Sequence, residues 1–172
     1  MRALAITPIH DTLGIKKMST IKINSTVPNF SGVTKDGLFS FESLRGKNVV
    51  VYFYPKDSTP GCTLESKAFR DHYAEFQAEN TEIIGISRDN IQSHCKFIDN
   101  HGLNFPLISD EDESICKLFD VLKEKSLFGK KYIGIDRSTF LIDKKGVLRH
   151  EWRNVSVLGH VKEVLKTVKA LS

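Results

Sequence analysis

The sequence predicts an α/β domain built on a central mixed β-sheet flanked by helices. Three observations carry that expectation. Asn48–Tyr54 (NVVVYFY) and Glu82–Ser87 (EIIGIS) are short, β-branched and aromatic runs with the character of strands buried on both faces. Each is followed by a segment of helical periodicity. Near the C-terminus, Ser138–Asp143 and Val147–Trp152 flank the turn Lys144-Lys145-Gly146, a hairpin that adds antiparallel strands.

In chain order, Leu38–Phe41 predicts a short strand, and Arg45-Gly46-Lys47 turns into the Asn48–Tyr54 strand. Pro55–Gly61 (PKDSTPG) is a loop with two prolines and a glycine. A helix begins at Cys62, with Ala68, Phe69, His72, Tyr73 and Phe76 recurring at three- and four-residue spacing. After Glu82–Ser87, Asp89 or Asn90 caps a helix that runs to His101 and stops at Gly102. Phe105–Ser109 predicts a strand, Asp112–Phe119 a short helix and Leu122–Gly134 a polar, basic loop. Gly159–Leu171 is an amphipathic helix with Val161, Val164, Leu165, Val168 and Leu171 on one face. Right-handed crossovers are expected to place helices on both faces of the sheet. The pattern is compatible with a thioredoxin-like core.

Composition bounds the function. The 172 residues suit one domain, with 40% hydrophobic and 27% charged residues, ordinary values for a globular chain. Twenty-five Lys and Arg against 21 Asp and Glu leave a net charge of +4, spread along the chain and unlike a nucleic-acid-binding patch. No apolar run approaches the length of a membrane span. The three cysteines, Cys62, Cys95 and Cys116, form no close pair. That pattern argues against an exported disulfide framework and for a reducing, cytoplasmic compartment. Residues 1–19 read as a disordered leader, because Pro8, His10 and Asp11 break up any signal-like apolar core. Met18 offers a second start, and the domain is placed at residues 20–172.

The chemistry concentrates in Tyr52–Phe69. A buried strand ends, a Pro/Gly loop follows, and Cys62 falls in the first turn of a helix. The first N–H groups of a helix are unsatisfied and carry partial positive charge, so a thiolate is favoured there. Pro60-Gly61 allows close backbone approach, and Thr59 offers a hydroxyl three residues before the sulfur. Other thiol chemistries are disfavoured. Thr59 and Glu65 stand where a C-x-x-C partner is required, Ala68 stands where a cysteine phosphatase needs arginine, and there is no phosphate-binding loop. His94 and Cys95 are adjacent and point to different sides of a helix, which argues against a metal site. Arg137 precedes an apolar strand; spacing alone leaves it equally a solvent arginine or a guanidinium set beside Cys62. His72 and Tyr73 read as packing residues, Cys116 as a small core residue, Trp152 as partly buried and Lys123–Lys131 as a solvated basic face.

Pro55-x-x-x-Thr59-x-x-Cys62 is similar to the peroxiredoxin signature, and its surroundings resemble the bacterioferritin comigratory protein, or peroxiredoxin Q, branch. FYPKDSTPGCTLES, AFRDHYAEF, GISRDNIQSHCKF, FPLISDEDESICKLF, FGKKYIGIDRSTFLIDKKGVLRHEWRNV and GHVKEVL carry the likeness, which extends over nearly all of 25–171. The resemblance implies a thioredoxin-like fold and thiol-dependent reduction of hydrogen peroxide and organic hydroperoxides, without a metal or organic cofactor. It implies that Cys62 is the peroxidatic cysteine, that Thr59 bonds the peroxide, that Arg137 is the active-site arginine and that Pro55 and Pro60 shape the pocket. It also implies a thiol reductant, thioredoxin by expectation, and a mostly monomeric enzyme. The recycling step departs from the family pattern. Lys67 stands five residues after Cys62 where many members have a resolving cysteine, and Ile98 stands at the alternative position on the next helix. Cys95, one turn earlier, is a candidate resolving residue; the alternative is a one-cysteine enzyme. Outside this reading stand a general disulfide exchanger, opposed by the lack of a second cysteine near Cys62, and an inactive binding protein, opposed by the presence of Thr59, Cys62 and Arg137.

Overall fold

The computed structural model describes residues 21–171, so the leader expected over 1–19 and the Met18 start lie outside the described residues. A seven-stranded sheet is built from β1 (Ser31–Thr34), β2 (Gly37–Ser40), β3 (Asn48–Phe53), β4 (Thr81–Ser87), β5 (Leu107–Ser109), β8 (Ser138–Ile142) and β9 (Leu148–Trp152), in the order β2-β1-β5-β4-β3-β8-β9. Among the described residues, the intervening β6 (Leu122–Leu127) and β7 (Lys130–Ile135) pair only with each other. The helices are α1 (Pro60–Asp71), α2 (Tyr73–Ala78), α3 (Ile91–His101), α4 (Ser114–Leu118) and α5 (His160–Leu171). Strands β3, β4 and β5 are parallel, whereas β1, β2, β8 and β9 pair antiparallel, which makes the sheet mixed.

Strand β3 is buried on both faces because its alternate side chains feed two cores. Val49, Val51 and Phe53 join Ile84, Ile86, Phe119 and Phe140 on one side. Val50, Tyr52 and Tyr54 join Phe69, Phe76, Phe97 and Val164 on the other. Helices do cover both faces, but not by the route expected. The crossovers β3-to-β4 and β4-to-β5 step in the same direction across the sheet, so right-handedness sets α1, α2 and α3 on one face together. Helix α5 joins them, while α4 packs on the opposite core through Ile115 and Cys116.

Two local expectations are corrected, and one strand had not been expected. The helix expected from Cys62 with Phe76 on its periodic face starts at Pro60 and breaks at His72, whose ψ of 3° separates α1 from α2. Ser31–Thr34 is a strand that polarity hid, added to the sheet as an edge hairpin with β2. Leu122–Gly134, expected as a loop, is the β6–β7 hairpin, closed by Phe128 and Gly129, both at positive φ. Helix α3 begins and ends at the expected residues: the Asn90 side chain accepts from the Ser93 N–H, and Gly102 ends the helix in the left-handed region.

Tyr52 links the sheet to the site helix, and a glycine makes room for it. A Cβ at Gly85 would lie 2.9 Å from the Tyr52 ring and 2.6 Å from Leu107. Tyr52 Oη lies 2.9 Å from Ser66 Oγ on α1 in a fully buried contact. Gly85→Ala is therefore expected to destabilise the fold by about 1–3 kcal/mol, the usual cost of overpacking a core. A lowered urea midpoint at unchanged slope checks it; an unchanged midpoint would show that Tyr52 and Leu107 can shift at no cost.

Candidate active site

Strand register assembles the site. Phe53, the last residue of β3, pairs with Ser138, the first of antiparallel β8. The loop after β3 and the residue before β8 therefore emerge at the same sheet end. Sequence spacing could not decide between a solvent and a site position for Arg137; the register places it beside the loop that carries Cys62. This is the carboxyl end of parallel β3, β4 and β5, where α/β sheets characteristically bind ligands.

The loop ends in an unusual helix start. Thr59 occupies the N-cap of α1 in extended conformation, with Pro60 in the first helical position, but makes no side-chain cap. Its hydroxyl instead donates to the Lys56 carbonyl at 2.8 Å. Ser58 makes the turn at φ 62°. The first helical N–H bond of this turn runs from Thr63 to the Thr59 carbonyl at 2.9 Å. The N–H groups of Gly61 and Cys62 precede it and receive nothing from the cap, leaving donors for an external oxygen.

Cys62 is 1% exposed at this helix end. Arg137 Nη2 lies 3.4 Å from its Sγ, and Nη1 donates to Glu65 Oε1 at 2.8 Å. Gly61 keeps the side of α1 open for the guanidinium, since a Cβ there would stand 3.2 Å from Nη2. Glu65, three residues from Cys62 and so on the same helix face, is fully buried, and its Oε2 has no partner among the described residues. Burial pushes the Glu65 carboxyl up to about 7, against the opposing pull of Arg137. Pro55 is half-buried and Pro60 exposed, flanking the loop.

A second set of side chains fastens the loop from below. The buried Asp57 carboxylate accepts from Tyr54 Oη at 2.6 Å and from Ser93 Oγ at 2.8 Å, and lies 2.7 Å from His94 Nδ1. His94 Nε2 faces the Ile108 carbonyl at 3.1 Å. The Asp57 N–H donates to Asp89 Oδ2 at 3.0 Å. Asp57, Asp89 and His94 bring ligand-type atoms within 4.8 Å of one another, but these hydrogen bonds already engage them.

The expected site residues Thr59, Cys62, Pro55, Pro60 and Arg137 are thus brought to one sheet end. Cys95 is free and half-exposed on α3, the residue after the buried His94. Cys116 is a buried residue of the opposite core, and Trp152 is half-buried between the rings of His150 and His160. His72 faces Glu75 and Tyr73 donates to Glu82, neither toward the sulfur. Within the basic hairpin, the Lys125 ammonium donates to the Ile135 carbonyl, two residues before Arg137. Glu65, Asp57, Asp89 and His94 were missed from sequence. Only Glu65 had a local signal, its one-turn spacing from Cys62.

The AhpC/TSA family model matches residues 23–151. A relative named Peroxiredoxin Bcp from Bacillus subtilis (strain 168) is 46% identical over 154 residues, covering 89% of this chain and 98% of its own. Among solved structures, a cysteine mutant of Xylella fastidiosa PrxQ superposes with a TM-score of 0.83 at 38% identity, over 88% of this chain and 98% of that one. A Xanthomonas campestris bacterioferritin comigratory protein, studied for its alkyl peroxide reduction activity, gives 0.78 at 43% identity, over 82% and 90%.

Proposed function

The chain belongs to the AhpC/TSA family and is a peroxiredoxin of the Bcp, or peroxiredoxin Q, type, and from that premise we propose that Cys62 is its peroxidatic cysteine. The protein is a thiol-dependent peroxidase. One observation supports the assignment above the others: a buried sulfur at an uncapped helix start, 3.4 Å from the Arg137 guanidinium.

The reaction follows from these groups. The Cys62 thiolate, stabilised by Arg137 and the helix end, attacks the terminal peroxide oxygen in line with the O–O bond. The S–O bond forms as the O–O bond breaks, giving a sulfenic acid and a hydroxide or alkoxide that takes a proton to leave as water or alcohol. Arg137 and the free N–H groups of Gly61 and Cys62 are the donors aimed at charge developing on the leaving oxygen. Thr59 has committed its proton to the Lys56 carbonyl, so its oxygen is an acceptor for the peroxide O–H. Pro55 and Pro60 shield the loop. This route uses protein groups alone.

Recycling uses an external thiol, which condenses with the sulfenic acid, releasing water, before a second thiol frees Cys62. The position of Cys95 supports this reading: its helix is tied through Ser93 and His94 to the loop of Cys62, and the sulfur of Cys62 is covered. Thioredoxin and small thiols are the reductant classes that fit. The working unit in this reading is a monomer, as the family resemblance implies. Among the described residues no helix is long and apolar enough to cross a membrane. The free cysteines support a reducing, cytoplasmic setting.

Rapid mixing with one equivalent of hydrogen peroxide, followed by dimedone capture and peptide mapping, is expected to place the sulfenic acid on Cys62. Capture elsewhere, or reaction no faster than that of a free thiol, would sink the assignment.

A further inference from the structure

We propose that Asp89 is a positioning residue for peroxide reduction, acting through the Lys56–Asp57 peptide on the Thr59 hydroxyl. The inference rests on the reading of Thr59 as a group that contacts the peroxide. Asp89 itself bonds to no atom of Cys62, Thr59 or Arg137; its effect is transmitted through one backbone unit.

That unit has two ends. A trans peptide is planar, with its N–H and C=O pointing in opposite directions, so holding one end aims the other. The Asp57 N–H donates to Asp89 Oδ2 at 3.0 Å. The carbonyl of the same peptide, that of Lys56, accepts the Thr59 hydroxyl at 2.8 Å. The Asp89 carboxylate therefore sets the direction of the acceptor that takes the Thr59 proton. With that proton fixed, the Thr59 oxygen is left as an acceptor instead of a freely rotating donor.

Asp89 is a rigid place from which to do this. Its Oδ2 also accepts from the Ser87 hydroxyl, its own N–H donates to Ser87 Oγ at 3.2 Å, and its carbonyl accepts from Ser109 Oγ. The carboxylate is thus referenced to the ends of β4 and β5. Next to the peptide, the Asp57 side chain is fixed independently by Tyr54, Ser93 and His94, which hinders rotation of the peptide plane. Without Asp89 the Asp57 N–H loses its acceptor and the plane is free to tilt. Misplacing a reacting group by about 1 Å can cost on the order of a hundredfold in rate.

The test is a double-mutant cycle of Asp89→Ala with Thr59→Val. Each protein is measured for its second-order rate constant with hydrogen peroxide and for alkylation of Cys62 by iodoacetamide, which needs the thiolate but no peroxide acceptor. Asp89→Ala is expected to lower the peroxide constant by about tenfold or more while alkylation stays within about twofold. In the Thr59→Val background the same change is expected to add nothing. Asp89→Asn, whose amide oxygen can still accept the Asp57 N–H, is expected to restore most of the rate. Equal losses in peroxide reaction and alkylation, or additive losses in the double variant, would overturn the inference and make Asp89 merely structural. Thr59→Val with an unchanged peroxide constant would instead overturn the reading of Thr59. Should Asp89→Ala not fold, Asp89→Ser carries the same cycle, because its hydroxyl stands one bond short of the Asp57 N–H.

Discussion

Cys62→Ser is expected to abolish peroxide turnover, whereas Cys95→Ser and Cys116→Ser keep most of it when an external thiol is supplied. The difference lies in where the three sulfurs sit. Cys62 alone has a guanidinium within 3.4 Å and uncapped helix amides beside it. Cys116 is buried in the core, and desolvation, reinforced by the Asp110 carboxylate, pushes its thiol far above the ordinary range, so it offers no thiolate. Cys95 is half-exposed, but forming a disulfide brings two Cα atoms within about 7 Å, which needs the first turn of α1 to unwind and expose the sulfur. The Asp57 network, which joins the loop before α1 to Ser93 and His94 on α3, holds the two elements in place against that movement. Thiol counting after one equivalent of peroxide is therefore expected to show one thiol lost in both wild type and Cys95→Ser. Excess peroxide should carry both to sulfinic acid. Loss of two thiols in wild type, with a Cys62–Cys95 peptide in the map, would overturn external resolution and leave Cys62 as the peroxidatic residue. Turnover surviving in Cys62→Ser would overturn the site itself.

What was legible in the sequence was local. The β3 and β4 runs are buried on both faces, so they read as continuous apolar stretches. The cap of α3 at Asn90, its stop at Gly102, and Cys62 in the first turn of a helix depend only on near neighbours. The β6–β7 hairpin was illegible because much of it stands off the core. Exposed Leu127 and Ile133 stand two residues from Lys125 and Lys131, on the same strand faces, so no buried apolar face imprints a period of two. The place of Arg137 depends on the pairing of β3 with β8, which brings residues 75 apart to one point. Asp57 and Asp89 are 32 residues apart and looked like loop and cap residues, because the peptide they jointly hold exists only once β3 and β4 are adjacent.

Arg137→Met is expected to lower the peroxide rate constant by about a hundredfold to a thousandfold, the usual effect of removing one donor aimed at a developing oxyanion. The same variant should carry a stability defect that grows with pH, because Arg137 also neutralises a buried carboxylate. Glu65 is held at about 7, raised first by burial and pulled back by Arg137. In the unfolded chain the group ionises near its ordinary value of 4.5. The contribution of a raised carboxyl is therefore fully present below that value and is lost as pH rises through about 7, where the folded protein must ionise a buried group that the unfolded chain has already ionised. Without Arg137 nothing on Glu65 opposes burial, its Oε2 being unpartnered already, so the loss continues to higher pH. Urea midpoints of wild type and Arg137→Met should lie close together at about pH 5.5 and diverge at about pH 8.5. Combining Arg137→Met with Glu65→Gln should remove the divergence, since a neutral side chain has no charge to leave stranded, while the rate remains low. A pH-independent stability defect, or a rate restored by Glu65→Gln, would separate Arg137 from the role given to it here: one guanidinium that lets a carboxylate be buried and turns its other nitrogen to the sulfur.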